Sequence, residues 1–315
     1  MLENKIIKGL KTGECSVERA LLAVSGLQTE EEIASYQAKL DYIQDDFERW
    51  YYLRRSGYLG QPAFRDRNDN DGLALGLFNY FWQTKPDRYN EKDFLLAPVI
   101  DNHLNQNRSI TIGNCVGLTS LYSILGQRVG LDLSILLNNH HVLTFFSSGG
   151  IRINVENTKR EGFGYYLSSE YERGNLVTLV ACVLNSRSLA KYKLENCQGA
   201  LFDLDKALKL DGKRSPFFNN RGVINYSLGN LLEALSDYDQ ALELNQNDAT
   251  VFFNRGLVKS ELKDLNGSLL DFDRALELSP DDPDILDNRK RLLNLFEAEL
   301  KKGKGRFRPG QYSFK

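Results

Sequence analysis

Residues that commonly carry metal or redox chemistry are scarce in this sequence. Its 315 residues include three histidines and four cysteines, and one of the histidines, His103, stands alone. The four cysteines are widely spaced and lack the C-x-x-C pattern that zinc sites and redox-active dithiols use. We therefore expect no metal site and a reducing, cytoplasmic compartment. The cysteines are Cys15, Cys115, Cys182 and Cys197.

An excess of one charge and long apolar runs are also missing. Lys and Arg total 40 and Asp and Glu total 42, so the sequence lacks the basic excess that nucleic-acid and membrane-surface binders need. No window approaches the roughly 18 apolar residues of a transmembrane helix, and residues 1–15 contain no signal-peptide core. Neither G-x-x-x-x-G-K-[ST] nor G-x-G-x-x-G after a strand occurs, so we expect no nucleotide and no other bound cofactor.

The C-terminal half contains a repeat of 34 residues. Ser215–Asp248 and Ala249–Asp282 agree at 14 of 34 positions without gaps, and Ala181–Arg214 matches the middle copy at 12. This pattern resembles the tetratricopeptide repeat, in which each copy is a helical hairpin that needs its neighbours to bury an apolar face. The diagnostic small, aromatic and proline positions are Gly222, Gly256, Ala234, Tyr238, Phe272, Ala241, Ala275 and Pro280.

The repeats also predict contacts between helices. Each copy has an arginine sixteen residues before an aspartate, which predicts an ion pair between the two helices of a hairpin. In the repeat family, the position before that arginine tends to face the concave groove where peptides bind. The resemblance therefore implies a protein or peptide partner, and it leaves the oligomeric state open. The predicted pairs are Arg187–Asp203, Arg221–Asp237 and Arg255–Asp271, and the predicted groove residues are Asn219, Asn220, Asn254 and Lys259.

Residues outside the repeats complete the predicted domain organisation. Pro283–Lys302 is predicted to be a terminal capping helix, and residues 303–315 form a short basic tail. Residues 176–302 then make up the repeat region. Residues 1–175 form a separate α+β domain that has its helices first.

Two patterns support this N-terminal prediction. Thr29 and Glu32 have the spacing of a capping box, followed by apolar residues at helical intervals. Further along, apolar and polar residues alternate over His141–Phe146 and over Ile151–Glu156. The intervening Ser147–Gly150 has the composition of a hairpin turn.

One thiol has the sequence context of a nucleophile. Cys115 follows Asn114, a candidate N-cap, and begins an apolar helix that extends to Val129. A cysteine in the first helical turn faces unpaired N–H groups and the positive end of the helix dipole, which favour the thiolate. The alternative is a small buried apolar residue, which is the common role of a free cysteine.

The predicted hairpin offers a base for that thiol. If its turn is centred on Ser148–Gly149, then His141 lies opposite Glu156, and Asn154 follows two positions away on the same face. His140 would lie on the other face and is the second choice for the base, because a one-residue slip exchanges the two histidines. A surface His–Glu pair is the alternative interpretation.

The pattern Gly-x-Cys-x-Gly-Leu-x-x-Leu-Tyr at Gly113–Tyr122 resembles the transglutaminase-like, papain-related cysteine peptidases. The resemblance spans roughly residues 16–165, and bacterial members of that lineage also carry tetratricopeptide repeats. It implies an α+β fold in which Cys115 is the nucleophile, His141 the base and Glu156 the orienting acid, with Thr158 at a family threonine. Glu156 stands where the family has Asp. The sequence shows no clear oxyanion side chain, and the candidates are Asn102, Asn105, Gln106 and Asn114.

Two functions follow from these patterns. The first is an acyl-transfer enzyme that acts on a protein or peptide amide as a peptidase, deamidase or transglutaminase, with repeats that bind protein. The rival is a non-catalytic interaction scaffold with a degenerate transglutaminase-like domain.

Overall fold

The computed structural model describes residues 2–55, 70–86, 88–107, 110–138, 141–164 and 171–301. The chain divides into two compact units. The first consists of Met1–Ala190 with Asp205–Gly212, and the second of Lys191–Leu204 with Lys213–Lys315. No helix in the described ranges is long and apolar enough to cross a membrane.

Helices come first in the N-terminal unit. Thr29 caps the third helix through a hydrogen bond from the Glu32 N–H to Thr29 Oγ1 of 3.1 Å, and Glu32 Oε2 accepts from the Thr29 N–H at 3.0 Å. The predicted capping box is therefore confirmed. The helices that precede the sheet are α1 (Leu2–Thr12), α2 (Val17–Val24), α3 (Glu30–Arg55), α4 (Asn70–Thr84), α5 (Leu96–Leu104) and α6 (Cys115–Arg128).

A small antiparallel sheet follows these helices. Its strands are β1 (Ser134–Leu137), β2 (Val142–Ser148), β3 (Ile151–Val155) and β4 (Glu172–Gly174), in the order β3-β2-β1-β4. All residues of β2 from Val142 to Phe146 are buried, and α6 packs against this strand. The predicted helix from residue 115 and the two predicted strands are confirmed within one or two residues at each end.

The strand register differs from the prediction by two residues. Thr144 pairs with Val155 and Ser148 with Ile151, so the turn consists of Gly149 and Gly150 and is not centred on Ser148–Gly149. Both glycines have positive φ, at 56° and 80°. A two-residue hairpin turn of this kind requires positive φ at both positions. Glycine adopts positive φ readily, whereas Ser148 would adopt it only with strain. Because the error is an even number of residues, every side chain keeps its predicted face.

Helical hairpins make up the rest of the chain. They are α7 (Leu176–Lys193) with α8 (Cys197–Leu210), α9 (Ser215–Ser227) with α10 (Leu231–Leu244), and α11 (Ala249–Glu261) with α12 (Leu265–Leu278). A single helix, α13 (Pro283–Lys301), follows them. The predicted hairpins and capping helix are confirmed, whereas the predicted basic tail lies outside the described residues.

Two glycines explain how tightly the paired helices pack. A Cβ at Gly222 would lie 2.7 Å from the ring of Tyr238, and a Cβ at Gly256 would lie 2.7 Å from the ring of Phe272. Each glycine therefore lets an aromatic ring of the second helix lie directly on the backbone of the first. Around these rings the core is closed by small and branched residues: Ala234, Ala241, Val251, Val258 and Ala275.

The predicted arginine–aspartate pairs connect helices in the second and third copies. Arg221 contacts Asp237 at 2.7 Å, and Arg255 contacts Asp271 at 2.7 Å. Arg255 also reaches Asp239 of the preceding hairpin at 2.7 Å. In the same way, Arg289 of α13 contacts Asp273 of α12 at 2.5 Å.

In the first copy, Arg187 and Asp203 each have a described ion pair with another residue, and their predicted pairing with each other stays a prediction. Arg187 pairs with Glu3 at 2.9 Å and also donates to the carbonyl of Val24, whereas Asp203 pairs with Lys191 at 2.7 Å. Arg187 therefore ties α7 to the N-terminal helices of the first unit. This explains why Leu176–Ala190 belong to that unit even though they include the start of the first repeat.

Candidate functional site

Cys115 is the first residue of α6, as the sequence predicts. The Asn114 side chain caps this helix, because its Oδ1 accepts from the N–H groups of Val116 at 2.9 Å and Gly117 at 3.1 Å. The Asn114 N–H donates to the carbonyl of Asp93 at 2.8 Å. The cap leaves the N–H of Cys115 outside these hydrogen bonds, at the positive end of the helix dipole.

His141 lies just before β2 and is fixed by its backbone. Its N–H donates to Asn138 Oδ1 at 2.8 Å, and its carbonyl accepts from the Asn138 N–H at 3.0 Å. One residue on, the carbonyl of Val142 accepts from Thr119 Oγ1 of α6 at 3.2 Å. This bond holds the start of β2 against α6 about one turn from Cys115.

The structure brings Cys115, His141 and Glu156 together. His141 Nε2 hydrogen-bonds Glu156 Oε2, and the imidazole also hydrogen-bonds the Cys115 thiol. Because Nε2 is engaged with the carboxylate, Nδ1 is the ring nitrogen left for the sulfur. The imidazole thus lies between a thiol and a buried acid, which is the order that a nucleophile, a base and an orienting group require.

Glu156 is the most buried of the three, with 2% of its side chain exposed. Its Oε1 accepts from the Thr158 N–H at 2.9 Å and from Thr158 Oγ1 at 2.6 Å. Its own N–H donates to the carbonyl of Gly162 at 2.9 Å, and a Cβ at Gly162 would lie 2.1 Å from the Glu156 carbonyl oxygen. Thr158 and Gly162 therefore fix the carboxylate that faces His141.

The electrostatics of this site favour a charged His141. Burial lowers the pKa of His141, but the hydrogen bonds with Cys115 and Glu156 and their negative charge outweigh it and raise the pKa to about 10. Burial raises the pKa of Glu156, yet the hydrogen bonds from His141 and Thr158 leave it below its ordinary value. The pair is therefore held as an imidazolium and a carboxylate at neutral pH.

The other predicted participants lie elsewhere or are engaged. Asn154 is buried and pairs with Phe145 across the sheet, and the alternative base His140 lies outside the described residues. Asn102 donates to the carboxylate of Asp93 at 2.9 Å and to the carbonyl of Ile112 at 3.1 Å. The remaining two oxyanion candidates, Asn105 and Gln106, are exposed at the end of α5.

Tyr89 is a neighbour of the site that the sequence did not indicate. It forms a parallel β-bridge with Gly113, two residues before Cys115, and 49% of its surface is exposed. Burial, and then the negative charge of Cys115, Glu91 and Glu156, raise the pKa of the Tyr89 phenol. The position of Tyr89 follows from the pairing of two loops, in which the carbonyl of Arg88 accepts from the Gly113 N–H at 3.0 Å. No local sequence motif predicts that pairing.

Cys197 offers an internal comparison for Cys115. It too is the first residue of a helix, α8, and Asn196 caps that helix through a bond from the Gly199 N–H to Asn196 Oδ1 of 3.0 Å. Both thiols are partly exposed. The three histidines of the chain are His103, His140 and His141, and Cys197 lies in the other compact unit from all of them.

His103 has a structural environment. It is buried beside the ring of Phe81, with the ring centroids 5.2 Å apart and the planes nearly perpendicular. Burial, and then the positive charges of Arg88 and Lys85, lower its pKa to about 3. Within the described ranges, no group of three His, Cys, Asp or Glu residues is placed to hold a metal ion.

The predicted groove residues fall into two groups. Asn219 and Asn254 lie on consecutive first helices and are joined by a hydrogen bond from Asn254 Nδ2 to Asn219 Oδ1 of 3.1 Å, with Asn220 partly buried beside them in α9. Lys259 instead pairs with Asp271 of its own hairpin at 2.8 Å. Lys259 thus occupies the place that Asn225 has one repeat earlier, against the second helix, and its assignment to the groove stays a prediction.

Comparison with known proteins settles the nature of the C-terminal helices. A family model described as TPR repeat matches residues 222–263, and a second, described as tetratricopeptide repeat, matches residues 249–282. Residues 222–282 are tetratricopeptide repeats. Both matches lie in the C-terminal half, and the transglutaminase-like fold of the N-terminal half remains a prediction.

Solved tetratricopeptide-repeat domains are similar to part of the chain. The first such domain of Spaghetti (RPAP3), bound to the HSP90 peptide SRMEEVD, is 22% identical, with 37% of this chain and 93% of that chain covered and a TM-score of 0.37. The Arabidopsis OM64 domain is 24% identical, with 37% and 96% covered and a TM-score of 0.36. The second domain of human RPAP3, in complex with an HSP70 peptide, is 22% identical, with 36% and 93% covered and a TM-score of 0.35. None of the curated proteins compared matches the chain.

Proposed function

We propose that this protein binds a protein or peptide partner through its tetratricopeptide repeats. The observation that supports this function is a row of asparagines at the period of the repeat: Asn220 and Asn254 on the first helices of two successive hairpins, and Asn288 on the single helix α13. A primary amide offers both donors and an acceptor, so it can bind the N–H and C=O groups of a peptide backbone whatever its side chains. These asparagine side chains therefore support the binding of a peptide by the repeats.

Capture of partners by the full chain tests this proposal. The double variant Asn220→Ala/Asn254→Ala should lose partners that the unaltered chain retains, because it removes two of the amides. Asn266→Ala is the matched control, since it removes an exposed amide from the second helix of a hairpin. Retention of every partner by the double variant would contradict the proposal.

A second candidate function is thiol-dependent acyl transfer in the N-terminal unit. The specific observation that favours it is the imidazole of His141 placed between the Cys115 thiol and the buried carboxylate of Glu156. A proton that leaves the sulfur is held on the imidazole, whose charge Glu156 stabilises. Cys115 Sγ is then a thiolate in the first turn of a helix, which is the reactive form.

The reaction follows from these roles. Cys115 Sγ attacks an amide carbonyl carbon and forms a C–S bond, and the carbonyl oxygen becomes an oxyanion that the Cys115 N–H can stabilise. His141 gives its proton to the leaving nitrogen as the C–N bond breaks, which yields a thioester. Water or an amine then attacks the thioester carbonyl and gives a proton to His141, and the C–S bond breaks to restore the thiolate.

Alkylation kinetics test this second candidate directly. At pH 7, iodoacetamide should modify Cys115 at least tenfold faster than Cys197, because both thiols begin a helix and the structure places an imidazole beside Cys115. Peptide mass spectrometry of the full chain over a time course gives both rates in one sample. Equal rates would leave the interaction scaffold as the complete account of the protein.

A further inference from the structure

Arg88 is a buried cation for which the described part of the chain provides no counter-ion. The residue is 1% exposed, and its guanidinium nitrogens Nε, Nη1 and Nη2 have no hydrogen-bond partner among the described residues. A guanidinium carries five N–H donors and is charged at neutral pH. Because removing a charge from water is costly, buried charges are as a rule paired or bound to an ion. The described surroundings of Arg88 therefore lack an anion.

Aromatic rings lie against the guanidinium where an acid would be expected. Arg88 Cζ lies 4.8 Å from the centroid of the Phe81 ring and 5.4 Å from that of the Trp82 ring. The face of an aromatic ring attracts a cation but does not replace the acceptors of five N–H groups. Burial lowers the pKa of Arg88 to about 9, and the charge interaction that opposes burial comes from the Tyr122 phenol. Within the described ranges, no carboxylate is thus part of this environment.

Two further polar groups beside Arg88 are also unsatisfied. Trp82 Nε1 and His103 Nδ1 are buried and have no hydrogen-bond partner in the part of the chain that the structure describes. His103 packs on the Phe81 ring at 5.2 Å between centroids, and burial, followed by the charges of Arg88 and Lys85, lowers its pKa to about 3. An indole N–H can only donate, and a neutral imidazole can carry its proton on Nδ1. We call Trp82, Arg88 and His103 the donor cluster.

Lys85 shows how another buried cation of this region is satisfied. The residue is 3% exposed, and its Nζ donates to the carbonyls of Asn105 and Asn107, the second at 2.8 Å. Arg88 has no such acceptor among the described residues, so the donor cluster presents one positive charge that calls for a monovalent anion. Chloride suits the cluster because it accepts hydrogen bonds from several directions and carries no proton at neutral pH.

We propose that the donor cluster binds a small monovalent anion of the chloride type. The anion accepts from the Arg88 guanidinium and from the N–H groups of Trp82 and His103, and it neutralises the buried charge. Trp82 is partly exposed although its Nε1 is buried, so its ring lies between the cluster and solvent. Entry of the anion therefore requires an outward movement of this ring. None of the three residues belongs to the thiol site or to the repeats.

Thermal unfolding of the full chain tests this site. Exchange of sodium gluconate for sodium chloride at a constant ionic strength of about 200 mM leaves screening unchanged, and gluconate is too large for a buried site. The melting temperature should rise by at least about 3 °C in chloride, because an anion that binds the folded chain alone stabilises it by mass action. Equal melting temperatures in the two salts would overturn the proposal.

A matched pair of substitutions locates the effect. Arg88→Met removes the charge and keeps an apolar side chain of similar length, so the chloride shift should fall below about 0.5 °C. In gluconate, this variant should melt no lower than the unaltered chain, since an apolar group replaces an unpaired buried charge. Arg49→Met is the control, because the Arg49 side chain is 68% exposed and its loss should leave the full shift. A shift that survives in Arg88→Met would place the anion elsewhere and overturn the proposal.

Iodide provides a second measurement that needs no substitution at Arg88. The chain has two tryptophans, Trp50 and Trp82. Iodide bound in the donor cluster contacts the Trp82 indole, so quenching of the fluorescence should saturate, and added chloride should raise the half-saturation concentration at least threefold. Trp82→Phe should leave the quenching of Trp50, which rises linearly with iodide. Linear quenching in the unaltered chain, or quenching that chloride does not alter, would overturn the proposal.

Discussion

His141 is the residue on which the candidate thiol site depends. It is the only described group that hydrogen-bonds both Cys115 and Glu156 through its side chain. The comparison with Cys197 therefore separates two effects that are usually mixed, the helix terminus and the imidazole. Among the described contacts, Cys197 shows the helix terminus alone.

We expect His141→Ala to lower the alkylation rate of Cys115 to about that of Cys197, because the variant retains the helix terminus and loses the proton acceptor. Mass spectrometry of the two labelled peptides at pH 7 measures both rates. His140→Ala should leave the Cys115 rate within a factor of two. If His140→Ala has the larger effect, His140 is the base and His141 has a structural role.

Glu156→Gln tests the orienting acid. The amide has the shape of the carboxylate but loses the charge that stabilises an imidazolium, so Cys115 alkylation at pH 7 should slow at least threefold. Near-ultraviolet circular dichroism should remain unchanged. A variant that reacts as fast as the unaltered chain would exclude Glu156 from any role in activating the thiol.

At the scale of elements, the end of the β2–β3 hairpin should make stability depend on pH. The pKa of His141 is raised from 6.5 to about 10, so its contribution to folding is complete below pH 6.5 and is lost as the pH rises through 10. Glu156 contributes in the opposite sense: its lowered pKa makes its contribution present above pH 4.5 and lost in stronger acid. Thermal unfolding tests this dependence by comparing the melting temperatures of the full chain and of His141→Asn. The difference in melting temperature should be largest from pH 4.5 to 6.5 and should shrink steadily toward pH 10. A difference that is constant from pH 6 to 10 would contradict the charged pair.

Arg255 tests the ion pairs of the repeats. Its side chain is 18% exposed and its partner Asp271 is 5% exposed, so Arg255→Ala leaves a buried carboxylate short of one cation and should destabilise the region by about 3 kcal/mol. Arg274→Ala is the control, because its pair with Glu277 is exposed and worth less than about 1 kcal/mol. Native-state hydrogen exchange of amides in α11 and α12 gives both values. Equal losses would show that burial does not set the strength of these pairs.

The hairpin elements also show what the sequence can and cannot predict. The 34-residue period identifies the repeats because the same contacts recur at the same positions of the repeat. Gly222 packs against Tyr238, and Gly256 packs against Phe272 in the same way. The faces of β2 and β3 are equally predictable, since they depend only on alternation. The strand register is less predictable, because either Ser148–Gly149 or Gly149–Gly150 could form the turn by composition. The backbone angles of the folded chain show that Gly149 and Gly150 form it. The place of Tyr89 near the site could not be predicted, because it depends on an isolated bridge between Tyr89 and Gly113 that no local motif indicates.

For the whole molecule, the division into units predicts where the chain can be cut. The first unit includes α7 up to Ala190, whose Ala181, Val183 and Leu184 are fully buried, and Arg187, which binds Glu3. A chain that ends at Gly212 should therefore fold and retain fast alkylation of Cys115. A chain that ends at Val180 should expose apolar surface and aggregate. Circular dichroism and the Cys115 rate check both, and a well-folded chain ending at Val180 would contradict the boundary.

The ion pairs between neighbouring repeats determine how further repeats can be added to the chain. Arg255 takes one aspartate from its own hairpin and one from the hairpin before it, and Arg289 takes Asp273 by the same step of sixteen residues. A tandem duplication of residues 249–282 would therefore add one arginine together with the aspartates that pair with it. The new arginine would find Asp273 behind it, and the new aspartates would serve both it and Arg289. A duplication in steps of 34 residues therefore keeps each of these arginines paired as the repeats are multiplied.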